Sequence, residues 1–72
     1  MMQHTVLVEG PQSGGFNRDG DEFPEWTVAI VDEDGETVGK FYRVRSYAGA
    51  IDLGQKMARD RRLPLDIDAG PD

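Results

Sequence analysis

The chain has no cysteine, a single histidine, a single tryptophan and no long apolar run. Without thiols there can be no disulfide staple, thiolate zinc site or thiol nucleophile, so apolar packing alone must hold the fold. No stretch approaches the roughly 20 apolar residues of a membrane span. Residues 1–10 lack the basic and apolar regions of a signal peptide. The expectation is a soluble, cytoplasmic protein with no membrane contact. Bases are scarce too: 8 Lys or Arg stand against 14 Asp or Glu, a net charge of −6. Such a chain repels nucleic acid and anionic membrane at long range. Its 72 residues fit one domain, and a domain of that size buries only about 60 % of its unfolded surface. The core is too thin for a deep catalytic cleft.

What is present is unevenly placed. Residues 1–36 hold one base and nine acids, 37–62 seven bases and two acids, and 63–72 three acids, so the segments carry −8, +5 and −3. The molecule therefore has two electrostatic faces to offer.

Residues 4–9, His-Thr-Val-Leu-Val-Glu, are β-branched and predict a strand. Residues 10–22, with Gly10, Gly14, Gly15 and Gly20, predict a flexible loop. Residues 26–31 are the clearest strand, followed by the turn Asp32-Glu33-Asp34-Gly35-Glu36 and a second strand over 37–45. A three-residue loop at Glu33, Asp34 and Gly35 sets even residues opposite even ones. Trp26, Val28 and Ile30 then share a face with Val38, Tyr42 and Val44, with Lys40 snorkelling at its edge, while Phe41, Arg43 and Arg45 project from the other. A one-residue slip would bury Phe41 and expel Tyr42.

Ser46 is the expected N-cap of a helix over 47–61. Tyr47, Ala50, Ile51, Leu53, Gly54, Met57 and Ala58 form its buried stripe, and Asp52, Gln55, Lys56, Arg59 and Arg62 its wet side. Residues 63–67 predict a last strand with Pro64 at its start or on an edge, and residues 68–72 a frayed acidic tail. The fold class is α+β: a small, antiparallel-rich single-layer sheet of three to four strands with one helix on one face, in the order β-loop-β-β-α-β. The ordered core is expected at about residues 23–67, resting on Trp26, Tyr42, Ile51 and Met57.

Chemistry is poorly supplied. The Gly-rich stretch lacks the Lys-Ser or Lys-Thr pair of a phosphate loop. An EF-hand counted from Asp32 would need Gly and Glu where Thr37 and Arg43 stand. His4 lies near a terminus, and serine occurs only at Ser13 and Ser46, so no nucleophile and base are set together. No enzyme activity, metal or cofactor is expected. The informative set is Lys40-Phe41-Tyr42-Arg43-Val44-Arg45, continued by Lys56, Arg59, Arg61 and Arg62. An aromatic among arginines suits a protein interface, and it also suits base stacking with phosphate contacts. The first choice is a protein-binding or self-associating module using Phe41, Arg43 and Arg45. The second is local nucleic-acid binding by that face together with Lys56, Arg59 and Arg62.

In outline, residues 26–65 resemble two families. A hairpin with an Asp-Gly turn before a Ser-capped helix is similar to the arm-type DNA-binding domain of phage integrases, which implies a sheet laid into the major groove. The order of strands, helix and final strand resembles the HicB-type antitoxin domain. The Gly-Lys-Arg and Thr-Lys-Lys motifs of those families are replaced here by Gly35-Glu36-Thr37 and Arg45-Ser46-Tyr47. No site residue is carried over.

Overall fold

A computed structural model describes residues 3–71. The elements in chain order are β1 (Thr5–Phe16), β2 (Glu22–Val31), β3 (Thr37–Val44), α1 (Tyr47–Arg61) and β4 (Leu65–Ala69). They build one four-stranded sheet in the order β3-β2-β1-β4 with the helix on one face. β1 runs antiparallel to β2 and parallel to β4, and β2 runs antiparallel to β3. The α+β architecture is the one expected. None of the described helices is long and apolar enough to cross a membrane.

The hairpin parity holds. Trp26 pairs with Val44, Val28 with Tyr42 and Ala29 with Phe41, so Tyr42 shares the helix side and Phe41 the outer side. Gly35 N–H donates to the Asp32 carbonyl, and Asp32 Oδ1 accepts from the amides of Asp34 and Glu36. The pairing then shifts between Ala29 and Val31, opposite residues 38–40, where Gly39 adopts φ 79°. That irregularity, on an edge strand, leaves Tyr42 45 % exposed. Tyr42 is therefore a rim residue rather than the core member expected.

Three expectations change at the two ends of the chain. Residues 10–16, read as loop, are the second half of β1, and residues 17–21 are a turn that repeats the chemistry of residues 32–36. Asn17 Oδ1 accepts from the amides of Asp19 and Asp21, and Gly20 N–H donates to the Asn17 carbonyl. Two register shifts in β1, between Glu9 and Gln12 and between Ser13 and Phe16, account for the glycines. A Cβ on Gly10 would lie 2.5 Å from Trp26 Cδ1, and one on Gly14 would lie 2.4 Å from Phe23 Cε2. Each bulge makes room for an aromatic ring on the facing strand.

Second, the core begins well before residue 23. Val6 and Val8 are fully buried with Val28, and they form one cluster with Trp26, Ile30, Ala50 and Ala58. β1 is central, so these valines lie directly beneath the helix. Third, residues 68–70 are tied down rather than frayed: Asp68 and Ala69 belong to β4, Gly70 N–H donates to the Gly10 carbonyl, and Trp26 Nε1 donates to the Gly70 carbonyl at 2.9 Å. Residue 72 lies outside the described residues. The last strand starts two residues later than expected because Arg62 caps the helix at φ 55° and Pro64 precedes β4.

The helix follows its sequence signals. Ser46 is extended, and its Oγ accepts from Gly49 N–H at 2.9 Å. Ala50, Gly54 and Ala58 are buried, flanked by Tyr47, Ile51, Leu53 and Met57 against the core. Replacing Ser46 by Ala orphans that amide, and the expected loss is about 1 kcal/mol. A lowered urea midpoint with an unchanged slope would record it; an unchanged midpoint would show the cap to be dispensable.

Candidate functional site

Alternation along the strands separates two surfaces. Val6, Val8, Trp26, Val28 and Ile30 lie on the α1 side, whereas Thr5, Leu7, Glu9, Glu25, Thr27, Ala29, Val31, Phe41 and Arg43 occupy the outer side. Among the described residues, no element covers that outer side. Cross-strand pairing arranges it in rows: Arg43, Thr27, Glu9 and Asp68 in one, and Phe41, Ala29, Leu7 and Asp66 in the next.

Arg43 and Phe41 do come together. The Arg43 guanidinium carbon sits 5.4 Å from the centre of the Phe41 ring, while its Nε lies 3.5 Å from a Glu25 carboxylate oxygen. Arg43 stays 65 % exposed and Glu25 only 13 %, so the pair contributes specificity of placement more than stability. Phe41 is 49 % exposed. Arg45, just beyond β3, stacks 4.1 Å over Phe23, the ring that lies across Gly14. The result is an alternating line of Phe23, Arg45, Glu25, Arg43 and Phe41. Phe23 was missed at the sequence level because it was assigned to the edge of a loop.

Beside Phe41 lies a shallow depression of about 240 Å³, lined by Glu9, Thr27, Ala29, Val31, Thr37 and Phe41. A larger and wide concavity of about 550 Å³ lies at the Asp32 turn, with Asp32, Glu33 and Asp66 beside Thr5, Leu7 and Val31. Among the described residues it is lined by no Lys, Arg, His or Ser. Potential nucleophile and base are also far apart: His4 precedes the start of β1, and Ser13 lies near the strand's other end.

The remaining candidates are elsewhere. Lys56, Arg59 and Arg62 are exposed on the helix and its cap, with the sheet between them and Phe41. Arg59 lies 3.8 Å from Asp60. The helix bases and the Phe41 face therefore do not form one continuous surface. On the outer face, moreover, Arg43 and Arg45 stand against Glu9, Glu25, Asp66 and Asp68, and acids outnumber bases. Comparison with protein-family models, curated proteins and solved structures gave no significant match for this chain.

Proposed function

We propose that this is a cytoplasmic, non-enzymatic docking module that binds a protein surface through the outer sheet face around Phe41, Arg43 and Arg45. The observation that carries this reading is the uncovered face itself. On it Phe41 is exposed beside half-buried Leu7, Ala29 and Val31 are buried between them, and charge is carried by Glu9 and Glu25 on the central strands and by Arg43, Asp66 and Asp68 on the edge strands. Aromatic and Arg anchors around a small apolar centre are the composition of protein interfaces. Nucleic acid is the weaker fit, because phosphates would meet Glu9, Asp66 and Asp68 on the same face.

A photo-crosslinking phenylalanine analogue at position 41, compared with one at position 56 on the helix, tests this in cell extract. Supporting adducts are proteinaceous, survive nuclease, form from position 41 alone and disappear when Arg43→Glu is added. Adducts removed by nuclease, equal adducts from both positions, or none from position 41 would overturn it.

A further inference from the structure

We infer that the surface covering this face is that of a second copy of the same chain, packed sheet to sheet about a two-fold axis parallel to the strands. The inference rests on the docking reading above and adds the identity and orientation of the partner.

Its basis is the way charge is laid across the sheet. β3 brings Arg43 and the adjoining Arg45 to one margin, and β4 with β1 brings Asp66, Asp68 and Glu9 to the other, with the apolar residues between. A two-fold axis along the strands, centred between β1 and β2, superposes β3 of one copy on β4 of the other. Arg43 then comes over Asp68 and the edge of the Phe41 ring over Asp66 at two equivalent seams, and Ala29 comes over Leu7. A two-fold axis across the strands would superpose β3 on β3 and β4 on β4, laying the basic margin on the basic one and the acidic margin on the acidic one. Like charges in contact are strongly unfavourable, so the charge pattern selects the first arrangement.

The edges of the sheet point the same way. Strand addition at an edge needs a regular, unpaired ladder. The β3 edge is broken at residues 38–40, and the β4 edge is five residues long, preceded by Pro64 and carrying Asp66 and Asp68. The outer face is the better place for a copy to bind. Four strands at about 4.8 Å spacing make a face roughly 19 Å wide. With the β1–β2 extension, contact buries on the order of 1,000 Å² in total, the lower limit for a specific interface. An interface of that size is expected to associate weakly and reversibly.

Sedimentation equilibrium of the purified chain tests this with two variants, Arg43→Glu and the double change Asp66→Arg/Asp68→Arg. The wild-type chain is expected to be a concentration-dependent dimer. Each variant alone places like charges at both seams, and its dimer dissociation constant should rise at least about tenfold. An equimolar mixture restores opposite charges at both seams and should recover near wild-type association as a mixed dimer. Far-UV circular dichroism checks that both variants remain folded; if Arg43→Glu does not, Arg43→Gln takes its place for the loss of association.

A wild-type chain that stays monomeric up to millimolar concentration overturns the inference, as does a dimer indifferent to both variants. Failure of the mixture to associate overturns the orientation. A monomeric wild type that still gives protein adducts from position 41 would remove the second copy while keeping the docking face. Absence of those adducts would remove both.

Discussion

Trp26→Ala is expected to leave the chain unfolded at room temperature. Trp26 is 2 % exposed, its ring centre lies 6.3 Å from that of Tyr47, and the Gly10 bulge is shaped around its indole. Truncating a buried tryptophan costs about 3 to 5 kcal/mol. A domain below about 70 to 80 residues rarely has more than 3 to 5 kcal/mol of core stability to lose. Loss of amide dispersion and of the cooperative melting transition would record the effect; a transition near the wild-type midpoint would refute it. Trp26→Phe separates the contributions. It keeps most of the ring but removes the Nε1–H donor to Gly70, so about 1 kcal/mol should be lost, and hydrogen exchange should accelerate at residues 67–70.

The second large effect is expected at Gly54. A Cβ there would lie 2.5 Å from Val8 Cγ2 and 3.3 Å from Leu65 Cδ1. Val8 is fully buried and cannot yield, so the helix must lift off the sheet. In an open helix interior Gly→Ala gains up to about 1 kcal/mol. Here overpacking of about 1 to 3 kcal/mol outweighs that gain, and Gly54→Ala should be destabilising. Gly54→Val adds branching at the same contact and should abolish the cooperative transition. Gln55→Ala, one residue away on the exposed side, is the control and should change little. A more stable Gly54→Ala would show that the helix and sheet are less closely apposed.

The contrast between these residues explains what the sequence could disclose. β2, β3 and α1 were legible because their signals are local: a β-branched run, an Asp-Gly turn of one loop length, a Ser cap and a 3.6-residue stripe. The hairpin parity also put Phe41 and Arg43 on one side and Tyr42 on the other. The second half of β1 reads as loop because glycines ordinarily break strands, whereas here Gly10, Gly14 and Gly15 are places where a neighbouring ring crosses the backbone. A usable signal was present in Asn17-Arg18-Asp19-Gly20-Asp21. It matches Asp32-Glu33-Asp34-Gly35-Glu36 in pattern and makes the same hydrogen bonds.

Other features had no local signal. The anchoring of Gly70 depends on an indole 44 residues away, and the irregularity at residues 38–40 depends on how an edge strand meets Ile30. For the candidate face, the line through Phe23 and the acidic margin at Asp66 and Asp68 required the strand order. That order places β4 beside β1, which no spacing in the sequence states.

The central position of β1 also sets the order of folding events. Its pairing with β2 and the pairing of β2 with β3 close short loops, and hairpins of this kind form in about 1 to 10 μs. The parallel partner β4 is separated from β1 by the whole hairpin and helix, and such distant pairings are expected to form last. Until then the far edge of β1, with Val6 and Val8 on its strand, stands open to any extended chain nearby. The five residues of β4 thus act as a late-arriving guard, and damage to them should appear first as aggregation during refolding.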